Sequence, residues 1–238
     1  MQETREEEGR GRGPQASGKS KWESEPRPQH ISYSIASTKH SMASQQQRLE
    51  AWEYHPSDED PRLEHKFSPN RPIPSDRLED LGVLNWKIDV DADLQNNPVL
   101  EKIKLSRGYK SWDTVTVAPG QLDNYEEKIK QFFQEHLHPY DESRLILDGS
   151  GYWDIRGFDS QWIRFRVERG DMIVLPPGMY HRFTLDTNNY IKAMLLFTET
   201  PTRIDVMRPF GDDLQVRKDY ISSVLRNGPP NNNGINPL

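Results

Sequence analysis

The sequence contains no cysteine among its 238 residues. Disulfide bonds, thiolate nucleophiles and thiolate metal ligands are therefore excluded, and the composition is compatible with a reducing compartment. No hydrophobic run approaches the roughly 20 apolar residues that a membrane-spanning helix needs. The formal net charge is -6, and no basic stripe with interleaved aromatic residues is present, so a nucleic-acid partner is not indicated.

The beginning of the chain also lacks an apolar core, so it fits neither a secretory signal nor a typical organelle transit peptide. We therefore expect a soluble cytoplasmic protein, with the nucleus as a second compartment. Apolar residues are scarce overall, at 33%, which predicts that part of the chain does not pack into a core.

The composition divides the chain into four parts. Residues 1–43 are rich in charge, glycine, serine, proline and glutamine, and we expect a disordered extension because they cannot bury enough apolar surface. Residues 44–210 have the patterns of one folded domain. A C-terminal segment follows at 211–226, for which a helix is one option, and residues 227–238 are expected to form a flexible tail.

Helical signals dominate the first half of the folded region. In "NNPVLEKIKLSRG", Asn97 is the predicted N-cap, Pro98 takes the first helical position and Gly108 ends the helix. In "IPSDRLEDLGVLNWKID", Ser75 or Asp76 would cap a short helix that ends before a strand. The stretch "LDNYEEKIKQFFQEH" carries an apolar stripe at helical spacing, which should pack on a core.

The second half changes to short alternating segments separated by turns. In "QWIRFRV", apolar Ile163, Phe165 and Val167 alternate with Trp162, Arg164 and Arg166, which is the period of a β-strand. Many short strands at such spacing indicate a sandwich or barrel. The strands are predicted at 143–148, 152–156, 161–167, 172–175, 180–185 and 190–197.

Two histidines stand one residue apart in the stretch "EHLHPYDESRLILDGSG". We interpret this stretch as a β-hairpin in which His136, His138, Glu142 and Arg144 share one parity and face the same side. Alone, a buried histidine is more often a hydrogen-bonded core residue than a metal ligand. The H-x-H spacing with a glutamate four residues later favours a metal site.

A second polar strand lies in "GDMIVLPPGMYHRFTL". A turn at Gly170 precedes the strand, and the Pro-Pro-Gly corner after it should return the chain so that His181 points inside; the corner could also be a structural turn only. Three imidazoles and one carboxylate suit a divalent first-row metal such as iron, nickel, manganese or copper. Four protein ligands would leave two positions open on an octahedral ion.

These two segments resemble the two cupin motifs, HxHxxxExxxxxxG from His136 to Gly149 and GxxxxxPxGxxH from Gly170 to His181. The resemblance implies a mainly β fold, a double-stranded β-helix or jelly-roll barrel with a few flanking α-helices, that holds a metal inside. It would make residues 44–210 a cupin metal-binding catalytic domain. The chain departs from the usual motifs outside the ligand positions, with Lys130 in place of a glycine and Leu185 in place of an asparagine.

Longer stretches are similar to the acireductone dioxygenases of methionine salvage, from about Ala51 to Pro209. They are "LGVLNWKID", "NYEEKIKQFFQEHLHPYDESRLILDGSGYWDIR" and "GDMIVLPPGMYHRFTLDTNNYIKAMLLF". Enzymes of that family cleave acireductone, 1,2-dihydroxy-5-(methylthio)pent-1-en-3-one, with O2, and the bound metal decides which products form. Fe(II) gives 4-methylthio-2-oxobutanoate and formate, whereas Ni(II) gives methylthiopropanoate, formate and carbon monoxide.

The resemblance implies a monomer that binds one Fe(II) or Ni(II) ion, acireductone and O2, with Glu142 and Arg144 as catalytic residues. Arg144 would pair with the enediolate anion, or alternatively with a carboxylate such as Glu142 or Asp148. Phe132 would wall the substrate pocket or belong to the core. The metal ligands implied by motif are His136, His138, Glu142 and His181.

Two other functions stay open at this point. One is a non-catalytic, metal-stabilised cupin that serves as a binding or regulatory module, and the other is a different small-molecule cupin enzyme. The family usually has a Glu-Ile-Arg-Tyr run where this chain has Glu142-Ser143-Arg144-Leu145. The glutamate and the arginine are kept, so only the contacts that the family makes through the isoleucine and the tyrosine are not expected at Ser143 and Leu145.

Overall fold

The computed structural model describes residues 49–201 and 203–226. The predictions for residues 1–43 and 227–238 lie outside these ranges. No helix within the described residues is long and apolar enough to cross a membrane. The described chain forms these helices and strands in order: β1 Ala51–Glu53, α1 Ser75–Asp80, β2 Leu84–Lys87, α2 Pro98–Arg107, β3 Ser111–Val117, α3 Tyr125–Phe132, β4 His136–Leu137, β5 Glu142–Arg156, β6 Trp162–Glu168, β7 Asp171–Leu175, β8 His181–Leu185, β9 Ile191–Phe197, β10 Val206–Met207 and α4 Gln215–Tyr220.

The helices begin and end largely where local signals predict. The Asn97 side chain accepts hydrogen bonds from the backbone at Val99 and Leu100, Pro98 opens α2, and Gly108 follows it with a φ of 69°. This is the predicted cap, first position and terminator. The predicted cap of α1 by Ser75 or Asp76 is wrong, because Pro74 occupies the N-cap and no side chain caps the helix.

Strand β5 organises the two faces of a mainly antiparallel barrel. Its first half, Glu142–Gly149, pairs with β7 and β9, and its second half, Ser150–Arg156, pairs with β6 and β8. The chain passes from one face to the other at Gly149, which has a φ of 75°, just after a bulge between Ile146 and Asp148. The fold is thus the predicted cupin-type barrel with flanking helices.

The prediction of two separate strands at 143–148 and 152–156 is wrong. They are one strand of 15 residues that exchanges both of its neighbours midway. A side chain at Gly149 could not be accommodated, since a Cβ atom there would overlap the backbone oxygen of Tyr190 and lie 2.9 Å from Ile191 Cα. The glycine therefore marks a change of face and a close approach of two strands, which in the sequence is indistinguishable from a turn.

Alternation along the strands separates two apolar clusters. Ile146 on β5 faces the barrel core together with Phe165 and Ile173. Its neighbour Leu145 faces outward and packs in a second cluster with Ile103 of α2. Side chains therefore alternate along the strand: one set fills the interior of the barrel, and the other set packs against helix α2 on the outside.

The C-terminal helix α4 packs against the corner that leads into β8. The Arg217 guanidinium donates from Nη1 to the backbone oxygen of Gly178 at 3.1 Å, and the Tyr220 hydroxyl donates to the backbone oxygen of Leu81 at 3.0 Å. Tyr220 is buried in the barrel core cluster. The described part of residues 211–226 thus shares the core of the barrel, while the division of the chain at residues 43 and 210 stays a prediction.

Candidate metal centre

Three imidazoles converge at the end of the barrel where β4 and β8 pair. His136 on β4 lies directly opposite His181, the first residue of β8, and His138 follows β4 in the chain. One ligand atom from each ring lies within 4.8 Å of the other two. All three side chains are buried, so the arrangement can offer three nitrogen ligands to a single cation.

The predicted hairpin is wrong, although its polar residues do meet. Strand β8 lies between β5 and β4 in the sheet, so His136 and Glu142 do not sit on paired strands. The chain turns between β4 and β5, and pairing with β8 brings the ligand set together. The Glu142 Oε2 atom lies 3.2 Å from the His138 Nε2 atom.

Backbone carbonyl groups set the tautomer of each imidazole. A carbonyl oxygen can only accept, so a ring nitrogen facing one carries the proton, and the other nitrogen of a neutral ring keeps its lone pair. Metal-binding histidines are commonly oriented in this way. The Nδ1 contacts are His136 to Gln134 O at 2.7 Å, His138 to Ile204 O at 2.7 Å and His181 to Met179 O at 3.0 Å.

Protonation of the histidines depends on burial and on the adjacent carboxylate. Burial lowers the pKa of His136 and lowers that of His181 well below its usual range, which favours the neutral imidazole that a metal requires. Burial alone would also lower the pKa of His138, but the charge of Glu142 raises it above its ordinary value.

Glu142 is a buried, ionised carboxylate. Burial alone would raise its pKa, but the charges of Arg144 and His138 hold the pKa well below the usual range. The Arg144 Nη2 atom lies 2.9 Å from Oε2, so the alternative pairing considered for Arg144 is present. This contact is an ion pair without hydrogen-bonding geometry. Within the described residues, neither the Glu142 Oε2 atom nor the His181 Nε2 atom therefore has a hydrogen-bond partner. Two buried acceptors without hydrogens fit a divalent cation.

A cavity of about 280 Å³ opens beside these side chains. Phe132, Phe183 and Trp153 form part of its apolar wall, with ring centroids 6.2 Å apart for the first pair and 4.3 Å for the second. The structure therefore places Phe132, Arg144 and all four implied ligands on one cavity. Arg182, which follows His181 on β8, pairs with Asp154 at 2.8 Å and is not part of the cavity lining.

A segment at residues 203–207, called the strap here, lies against the centre, and no pattern in the sequence indicates it. The Ile204 carbonyl oxygen accepts a hydrogen bond from His138 Nδ1, and the Ile204 N–H donates to the Tyr140 hydroxyl at 2.6 Å. The Tyr140 ring stacks on His138 at 5.3 Å, and Gln131 donates to Asp205 at 2.9 Å. The strap is 66 residues from His138 in the chain, too far for a local pattern to reveal.

A mainly antiparallel barrel with a buried centre of three histidines defines a metal-binding cupin. The chain matches the model of the ARD/ARD' family over residues 50–205, and it belongs to that family. Curated relatives of this chain are named as acireductone dioxygenases, one of them as probable inactive.

Curated relatives match over most of their own length. The chain is 48% identical over 180 residues to acireductone dioxygenase 2 of Oryza sativa subsp. japonica, covering 76% of this chain and 90% of the relative. It is 48% identical over 173 residues to the acireductone dioxygenase of Homo sapiens, covering 73% and 96%. A relative from Sorghum bicolor, named probable inactive acireductone dioxygenase 2, is 50% identical over 172 residues and covers 72% and 94%.

A solved structure supports the fold. Acireductone dioxygenase from Bacillus anthracis, with a cadmium ion in its active center, is 23% identical with a TM-score of 0.52, covering 67% of this chain and 99% of that one. At this level of identity the likeness shows the barrel architecture, and the ligand assignment comes from the geometry described above.

Proposed function

We propose that this protein is a metal-dependent dioxygenase that cleaves acireductone with O2 in methionine salvage. The single observation that carries the proposal is the convergence of three buried imidazoles and an ionised carboxylate on one cavity. Membership of the family supports the substrate class. The centre is built from one chain, so a monomer would suffice for the reaction.

The residues that would hold the metal offer three nitrogen lone pairs and one charged oxygen. Bound Fe(II) or Ni(II) would supply a Lewis acid that orients the substrate oxygens and lowers the barrier to reaction with O2. The proposed products are 4-methylthio-2-oxobutanoate and formate with Fe(II), or methylthiopropanoate, formate and carbon monoxide with Ni(II). The proposed ligands are His136, His138, Glu142 and His181.

Arg144 would bind the ionised substrate beside the metal. Acireductone is an acidic enediol, and a guanidinium group at the cavity wall favours its deprotonated form and donates to its oxygens. Arg144 also contacts Glu142, and its charge favours the ionised form of that carboxylate. The apolar wall that includes Phe132 would hold the methylthio tail and exclude water from the reacting centre.

The two departures from the family's usual Glu-Ile-Arg-Tyr run face away from the cavity. The Ser143 hydroxyl donates to the backbone oxygen of Leu196 at 2.7 Å, and Leu145 is buried in the cluster outside the barrel. Since Glu142 and Arg144 alternate with them and line the cavity, the substitutions change strand packing and leave the lining intact. This supports the enzyme over the non-catalytic binding or regulatory module that the sequence left open.

The test is aerobic consumption of acireductone by protein stripped of metal and reloaded with Fe(II), followed by the loss of ultraviolet absorbance. We expect consumption with formate and a 2-oxo acid as products, and carbon monoxide when Ni(II) replaces Fe(II). Glu142→Gln removes the carboxylate charge and should abolish turnover, while Glu168→Gln on the exposed end of β6 serves as the matched control. A folded, metal-loaded protein that consumes no acireductone would favour the non-catalytic module.

A further inference from the structure

Three basic side chains line the cavity, and two of them already have carboxylate partners. Arg144 pairs with Glu142 at 2.9 Å, and Arg203 pairs with Asp113 on β3. Lys128 is the third, and within residues 49–201 and 203–226 its side chain makes no ion pair. The charge of Lys128 is therefore the one that no carboxylate of the described chain offsets.

The position of Lys128 follows from the helical period of α3. Lys128 lies four residues before Phe132, so both side chains project from the same face of the helix, and both line the cavity. Lys128 is half-buried, whereas Lys130 on the same helix is exposed and does not belong to the lining. The long methylene stem of a lysine can lie along an apolar wall while its ammonium group reaches a polar ligand.

We propose that Lys128 recognises the anionic oxygens of the substrate as it enters the cavity. This inference rests on the proposed function and adds a specificity-determining residue to it. The charge of Arg144 is partly balanced by Glu142, so a second cation without a carboxylate partner in the described chain would add to the attraction that Arg144 exerts on the anion. Lys128 supplies that added attraction, because a half-buried charge without a partner acts over several ångströms in a cavity of low dielectric.

The carboxylates of the cavity are placed consistently with this role. Glu142 contacts Arg144 and His138. Asp205 accepts a hydrogen bond from Gln131 and lies 3.6 Å from the His138 Nδ1 atom. Both acidic groups thus have partners at the centre, and Lys128 stays available to an incoming anion.

The first measurement is the anaerobic dissociation constant of acireductone for Ni(II)-loaded protein, where the absence of O2 prevents turnover. Lys128→Gln should weaken binding about 10- to 100-fold, the effect of losing a hydrogen bond to a charged group. Lys128→Arg should stay within a few-fold of the wild type, and Lys130→Gln is the matched control that should bind normally. Metal content should be the same in all four proteins.

Ionic strength provides a second readout that a structural role would not change. Attraction by a single charge is screened by salt, so kcat/KM of the wild type should fall with added salt and that of Lys128→Gln should fall less. Equal binding and equal salt dependence in wild type and Lys128→Gln would overturn the assignment.

Ascorbate separates failure of this inference from failure of the proposed function, since it is an enediol that is an anion at neutral pH. If acireductone is not consumed but Lys128→Gln still weakens ascorbate binding, the proposed reaction fails and the anion site stands. If the wild type consumes acireductone and binds both anions no better than Lys128→Gln, the anion site fails alone. A wild-type protein that binds neither anion would overturn both.

Discussion

The substitution Gly178→Ala tests how the metal centre is attached to the C-terminal helix. The Gly178 N–H donates to the backbone oxygen of His138 at 2.9 Å, and its own oxygen accepts from Arg217 of α4. With a φ of 78°, the residue lies in the left-handed region. A Cβ atom there would overlap the backbone oxygen of Val216 and lie 2.8 Å from its carbonyl carbon.

The expected loss of stability has two sources. A residue other than glycine in the left-handed region costs about 1–2 kcal/mol. The overlap involves the backbone of Val216, so no side-chain rotation relieves it, and displacement of α4 would also break the hydrogen bond from Arg217, worth about 1 kcal/mol. The sum is about 2–3 kcal/mol, which for a domain of this size lowers Tm by about 4–12 °C.

Thermal unfolding followed by circular dichroism measures the effect, and Gly108→Ala is the control. Gly108 has a φ of 69°, and no atom lies within 4 Å of a Cβ built there, so its variant isolates the backbone cost. Gly178→Ala should lower Tm clearly more than Gly108→Ala does. Equal losses would show that α4 adjusts freely and that the overlap has no energetic consequence.

Three other predictions concern single charges. Glu142→Ala should lower the metal bound per chain, measured by atomic emission, since three imidazoles without the charged ligand retain a dication less tightly; normal metal content would contradict the ligand assignment. Arg144→Ala should keep the metal but raise KM for acireductone, and loss of metal would show instead that Arg144 holds Glu142 in place. A hydrogen bond from Arg62 lowers the pKa of Asp60 to about 2 from 3.8, so its stabilising contribution is present above about pH 4 and is lost as pH falls towards 2. Asp60→Asn should therefore flatten the dependence of Tm on pH in that window, and an unchanged slope would refute this.

The sequence by itself determined the elements whose signals are local. The cap at Asn97, the terminator at Gly108 and the alternation around Phe165 predict their helix and strand because each depends on neighbours a few residues away. The H-x-H pair and the Pro-Pro-Gly corner before His181 predict a metal centre for the same reason. The corner holds its glycine in the left-handed conformation, which a short motif can specify.

Only the tertiary structure decided how these parts meet. Strand β8 lies between β4 and β5, and β5 exchanges its neighbours at Gly149, because pairing and register are set by segments tens of residues apart. The strap at Ile204 that orients His138 and the pairing of Arg144 with Glu142 likewise follow from the packed barrel. Local periodicity specifies which face a side chain takes on its own strand, whereas the groups that it meets depend on long-range packing that no short pattern encodes.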